Sequence, residues 1–165
     1  MGTIKVDGLD NVRQMLNRLR DKTAAIIKMG VHDGAGVLAR AISDAIDALP
    51  TDSGPLSAEH PIMQGPTKIQ KEGLQDGFGI SRMRTDEGDF INVSIGFSGY
   101  NEMRTKKYPM GQPNQLIARS VEFGTSYMQK QPFVRRAVSK TKKQAIEAMQ
   151  KKVSSVARTI AERTE

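Results

Sequence analysis

Cysteine and tryptophan are absent from this chain, histidine occurs twice, and aromatic residues make up 5% of its 165 positions. Without cysteine there is neither a disulfide nor a thiolate metal site, whatever the redox compartment. Only 38% of the residues are hydrophobic, and few of these carry rings, so the core rests on aliphatic side chains, alanine and methionine. Such a core suits one modest domain over residues 1–165 and is thin for a large, rigid pocket. No apolar run approaches the ~20 residues that span a bilayer. The polar start after Met1 lacks the apolar stretch of a secretory signal, and a soluble, cytosolic chain with no membrane partner is expected.

The same shortages limit chemistry. Nucleophilic catalysis needs a base beside the nucleophile, and the two histidines, His32 and His60, both lie in Gly/Pro-rich segments. Asp52, Ser53 and His60 supply the residue types of a hydrolytic triad, but nothing in their spacing demands one, and polar loop residues account for them. Asp86, Glu87 and Asp89 offer oxygens to a divalent ion, yet they lack the ligand spacing of a calcium loop and read as a solvated hairpin tip. Gly77-Phe78-Gly79 lacks the third glycine of a dinucleotide loop and the strand-then-helix setting around it. The expectation is a protein that is not an enzyme, with no cofactor and no metal.

Charge is what the chain does carry. The formal net charge is +7, and the stretch from Arg135 on, with nine Lys/Arg against three Glu, holds +6 of it. Arg135, Arg136, Lys140, Lys143, Lys151, Lys152 and Arg158 make one basic face that either stays solvated or lies along a nucleic acid. No aromatic residues are interleaved and no paired base readers are present, so any contact with DNA is expected to be sequence-independent.

Hydrophobic spacing sketches the elements. Thr3–Val6 reads as a short edge strand and Asp7-Gly8 as a turn, with Asp10 capping a first helix whose apolar face holds Val12, Met15, Leu16, Leu19, Thr23, Ile26 and Ile27. Gly30 and His32–Gly36 are expected to break or bend this helix. Leu38, Ala41, Ile42, Ala45, Ile46 and Leu49 then mark a second one, stopped by Pro50. Residues from Thr51 to Lys68 read as a loop of about 18 residues, long enough to be functional. Gly77–Arg84 and Phe90–Phe97 flank a turn at Thr85–Asp89, and the alternation of Ile91, Val93, Ile95 and Phe97 predicts a half-buried hairpin with Ile80 on the same face. Residues 98–114 are irregular, and Leu116, Ile117, Val121 and Phe123 form a short apolar element. Pro132 suits the first position of a final helix, along which Val134, Val138, Thr141, Ala145, Met149, Val153, Val156 and Ile160 recur every three to four residues.

Two turns carry a resemblance. Glu122, Phe123, Gly124 and Thr125, followed by Pro132 and Phe133, resemble the Glu-(Phe/Tyr)-Gly-Thr turn and Pro-Phe helix start of the neck and tail-completion proteins of long-tailed bacteriophages. Pro50, Thr51, Asp52, Ser53, Gly54 and Leu56 are similar to that family's Pro-x-Asp-Thr-Gly-x-Leu turn, with Ser in place of Thr and Pro55 inserted. The Gly-Leu-Asp start and the order of elements extend the likeness over most of the chain. Insertions near 51–73 and 98–114 depart from it. The resemblance implies an α+β fold, with a small antiparallel β-sheet packed against long amphipathic helices and a long C-terminal helix. It also implies a structural virion protein at the head–tail junction, assembled in the host cytoplasm. That protein would be a homo-oligomer, a six-fold ring between head-closure or connector proteins and the tail tube or its terminator, around the DNA channel. Shape and charge would do the joining, with the loops at 51–73 and 98–114 reaching the rings above and below. Glu122 is then expected to form an ion pair, within or between subunits, with Arg119, Arg135 or Arg136. The alternative is a stand-alone basic nucleic-acid-binding protein, as the charge alone suggests.

Overall fold

A computed structural model describes residues 9–88 and 90–162, with side chains from residue 11 on. The expected strand at Thr3–Val6, the turn at Asp7-Gly8 and Asp89 in the hairpin turn lie outside what is described, and Asp10, expected as a cap before the first helix, is already inside α1, which is helical from Leu9 on. The fold is α+β: small antiparallel ladders beside two long helices. In chain order the elements are α1 (Leu9–Asp47), α2 (Lys68–Gly77), β1 (Phe78–Ile80), β2 (Arg84–Thr85), β3 (Ile91–Asn92), β4 (Ile95–Phe97), α3 (Asn114–Phe123) and α4 (Phe133–Glu162).

The expected break at Gly30 and His32–Gly36 does not occur, because α1 runs unbroken through it. Glycine in mid-helix costs backbone entropy, so its presence needs a reason, and the partner helix supplies one. A Cβ added at Gly30 would sit 2.6 Å from the Val153 side chain, and one at Gly34 would sit 2.3 Å from that of Met149 and 3.0 Å from the Ala145 carbonyl oxygen. The two glycines let α4 lie close against α1, and these contacts make the pair antiparallel. They are contact residues for a neighbouring helix.

The antiparallel register also explains why the apolar face of α1 is unevenly buried. Ile26, Ala35, Ile42 and Ile46 are buried, whereas Val12 and Leu16 are 48% and 56% exposed. The contacts at Gly30 and Gly34 place Glu162, the last residue of α4, level with the α1 residues near Leu19. The described part of α4 therefore does not cover the first turns of α1.

The core lies at the other end of the pair. Ile42 and Ile46 of α1 and Leu49 just after it meet Leu74 of α2, Ile117, Ala118 and Val121 of α3, and Phe133 and Ala137 of α4. The hairpin closes this core from one side. Phe97 packs on Phe78 with ring centroids 5.3 Å apart, and edge-on against Phe133 at 6.0 Å. Burial at this junction uses most of the chain's few phenylalanine rings.

The hairpin differs from the uninterrupted pair expected over Gly77–Arg84 and Phe90–Phe97. β1 pairs with β4 (Phe78↔Phe97, Ile80↔Ile95), and β2 pairs with β3 (Arg84↔Asn92, Thr85↔Ile91). Between the ladders Ser81, Arg82 and Met83 face only Val93 and Ser94, so the register slips by one as at a β-bulge. The Ser81 hydroxyl fills the gap by accepting the Ser94 N–H at 2.9 Å.

The segment around residue 70, expected to be part of an insertion, is α2. Thr67 caps it: its hydroxyl accepts the Gln70 N–H at 3.2 Å, and the Gln70 side chain accepts the Thr67 N–H at 3.0 Å. This reciprocal pair is a capping box, and Thr67-Lys68-Ile69-Gln70 was its signal in the sequence. The Gln70 side chain also donates to that of Gln112 at 2.8 Å, tying the 98–114 segment to α2.

Candidate assembly site

The turn joining α3 to α4 brings together the six residues singled out in the sequence. Val121, the third-last residue of α3, is wholly buried, which anchors the turn in the core. Gly124 ends the helix with φ +77°, in the left-handed region that favours glycine, and its N–H reaches the Ser120 carbonyl at 2.8 Å. The chain then folds back on itself. The Thr125 N–H donates to the Met128 carbonyl at 2.9 Å, Met128 is buried, and the Gln131 N–H returns to the Val121 carbonyl at 2.8 Å. Pro132 delivers the backbone to Phe133, where α4 begins one residue later than its proline suggests; the Pro132 carbonyl accepts the Arg136 N–H at 3.2 Å.

Pro132 brings a difficulty with it. The first N–H groups of a helix need acceptors, and a proline side chain has none. Glu122 supplies them from the preceding helix. Its buried carboxylate accepts the Val134 N–H at 2.9 Å and the Arg135 N–H at 3.2 Å. A negative charge at that position also meets the positive end of the helix dipole.

The ion pair expected of Glu122 is therefore intramolecular and secondary. Arg135 Nε lies 3.6 Å from Glu122 Oε1, while the guanidinium stands 5.5 Å from the ring centre of Phe123. Among the described residues, neither Arg119 nor Arg136 reaches Glu122. Both are exposed, and Arg136 lines a groove instead.

The loop after α1 is seated on this turn. The Met63 N–H donates to the Tyr127 carbonyl at 2.9 Å, the Gln129 N–H returns to the Met63 carbonyl at 2.8 Å, and the Gln131 side chain donates to the Gln64 carbonyl at 3.0 Å. Asp52 organises the loop from within. Its carboxylate accepts the Gly54 N–H at 3.0 Å and the Gln64 N–H at 2.8 Å, and His60 Nε2 lies 2.9 Å away. These backbone donors, Gln64 first and then Gly54, hold the Asp52 carboxyl below its ordinary value, with a smaller contribution from His60. Ser53 is exposed and makes no bond to His60 among the described residues. Asp52 and His60 form a loop clasp that Ser53 does not join.

The two resembling motifs are thus one structure: the clasp of Asp52 rests on the turn capped by Glu122. The surface there is apolar in part. Ile62, Phe123 and Tyr127 are 43%, 59% and 47% exposed, and Ile62, Phe123, Met128 and Lys130 line a hollow of about 560 Å³.

The basic face of α4 sorts into two sets. At 100° per residue, Arg136, Lys140, Lys143, Lys151 and Arg158 fall within about 80° of one another. This stripe lies opposite the side where Ala145, Met149 and Val153 meet α1. Lys152 leaves the stripe and turns to α1, its Nζ 3.7 Å from Asp33 Oδ2. Arg135 leaves it for Glu122, and Arg158 stays on it beside Glu162 at 4.0 Å.

No protein-family model matches this chain, and no curated protein or solved structure matches it either.

Proposed function

We propose that this protein is a structural subunit of the head–tail junction of a long-tailed bacteriophage. In this reading copies form a ring that joins head-closure or connector proteins to the tail around the DNA passage. The observation that carries the reading is the union of its two motifs: the Asp52 clasp and the Glu122-capped turn pack as a single hydrogen-bonded unit. Residues retained for catalysis would converge on a reacting centre. These converge on the start of a long helix and leave Phe123, Tyr127 and Ile62 exposed beside it, which suits a part that must hold its shape and meet neighbours.

The cationic stripe on α4 fits the same role. From Lys143 on it faces away from α1 and carries no base-reading pattern, so that part suits phosphates passing along a channel. The stripe alone also supports the second reading, a stand-alone basic nucleic-acid-binding protein.

Negative-stain electron microscopy of the purified protein, with its mass in solution, separates the two. Rings with a central hole and a mass of several copies, six being expected, support the junction subunit. A monomer or dimer that binds random-sequence duplex tightly at low salt overturns it in favour of the second reading.

A further inference from the structure

Two features are left without a use by the fold and by the turn. One is the tip of the hairpin. Phe90 is 73% exposed, although the chain has only five phenylalanines, and it sits at the end of Thr85–Phe90, a stretch with three acids and no base. The turn itself is built: the Asp86 N–H donates to the Phe90 carbonyl at 2.9 Å, and the Asp86 carboxylate accepts the Asn92 side-chain amide. A phenylalanine held in water leaves apolar surface unburied within the monomer.

The other feature is a groove of about 420 Å³ between the end of α1 and the start of α4. Its walls include Ala45, Leu49, Phe133 and Ala137, and Arg136 and Lys140 line it as well, with Asp44 the acid among the lining residues. Neither Arg136 nor Lys140 makes an ion pair among the described residues. The groove therefore presents what the tip lacks: apolar walls and positive charge beside them.

Tip and groove do not meet within one molecule. The hairpin starts beside Phe133, where Phe97 packs, and runs back along α1 until Met83 lies with Met29 and His32. From there to Ala45 is roughly 20 Å of helix at 1.5 Å per residue, and the tip lies past Met83. A contact between them has to join two copies. Because it uses two different surfaces, each copy still offers a free tip and a free groove, so the contact propagates from copy to copy and makes a ring where the rotation closes.

We infer that the acidic hairpin tip of one copy docks in the α1–α4 groove of the next, with Phe90 between the apolar walls and the Glu87 carboxylate against Arg136 and Lys140. This rests on the ring reading above only for where the chain of contacts closes.

The absence of cysteine makes the test direct. Thr85→Cys combined with Ala48→Cys keeps Phe90 and places one thiol beside the tip and one on the groove wall, and mild oxidation should give a ladder of covalent multimers that stops at the ring's copy number. Thr85→Cys with Lys22→Cys should give none. Rings seen by microscopy without a ladder overturn the tip-in-groove contact and leave the ring reading standing. A ladder that stops at two copies overturns the propagating geometry, and neither multimers nor ladder at any concentration overturns both. A charge exchange checks the pairing separately. Glu87→Lys should weaken association at least tenfold with an unchanged circular-dichroism spectrum, and adding Lys140→Glu should restore most of it. Assembly of Glu87→Lys and Phe90→Ser at the strength of the natural chain overturns the inference.

Discussion

At the scale of single residues, Glu122 and Pro132 divide one task. The proline sets the entry angle of α4 and cannot cap it, and the acid ten residues earlier caps it from the end of α3. Removing an N-terminal cap costs about 0.5–2 kcal/mol, typically about 1. Glu122→Ala should therefore lower the unfolding free energy measured in urea by that amount, and Glu122→Gln, which keeps an acceptor, by less. An alanine variant as stable as the natural chain would refute the capping role. Asp52 gives a pH dependence. Its folded carboxyl lies below the ordinary 3.8 because Gln64 and Gly54 donate to the ionised form. The unfolded chain therefore takes up that proton first as the pH falls. The stabilisation is complete above about pH 4 and is lost as the pH drops from there through the folded value. As the pH drops below about 4, the urea midpoint should fall more steeply for the natural chain than for Asp52→Asn. Equal slopes would refute this assignment. The spacing of these residues was legible, but their partners were not: Asp52 and Gln64 are close in the sequence, yet only the folded loop points one at the other.

At the scale of elements, glycine was the residue most easily misread. Local propensity reads Gly30, Gly34 and Gly36 as a break. The helix continues because two of them face another helix at a distance where no side chain fits. The distinction is measurable, since a Cβ at Gly36 would have nothing within 4 Å, whereas one at Gly34 would strike Met149. Gly36→Ala should stabilise the fold by about 0.5–1 kcal/mol through backbone entropy and helix propensity. Gly34→Val should destabilise it by about 1–3 kcal/mol through overpacking. Thermal unfolding of the two variants is enough, and shifts of the same sign would refute the close approach of α1 and α4. The capping box at Thr67 was readable and lay hidden inside what looked like an insertion. The slipped register of the hairpin was not readable, because alternation along one strand says nothing about its partner's count.

At the scale of the whole molecule, charge and shape act together. The stripe from Arg136 to Arg158 is a property of one helix, but α1 decides which side of α4 is left to solvent. If the stripe meets phosphates, random-sequence duplex binding should weaken steeply with salt, and Lys143→Ala and Lys151→Ala should each reduce the log–log slope by about 0.9. Lys152→Ala should change that slope least, because Lys152 is turned toward Asp33. A slope equally sensitive to Lys152 would mean that the stripe is not the contact surface.

What the sequence determined by itself is local in origin: the absence of thiol chemistry, the period of the two long helices, the hairpin with its acidic turn, and the place where Gly124 must bend the chain. Each follows from the bonding capacity or allowed backbone angles of residues near one another. The tertiary structure alone decided that α1 is one helix and not two, that Glu122 caps α4, that the Asp52 loop rests on the turn, and that Lys152 leaves the basic stripe. These depend on what lies across the fold. A glycine beside water and a glycine beside Met149 have the same local preferences, and a carboxylate's role is set by which N–H groups the packing of α3 against α4 brings within reach.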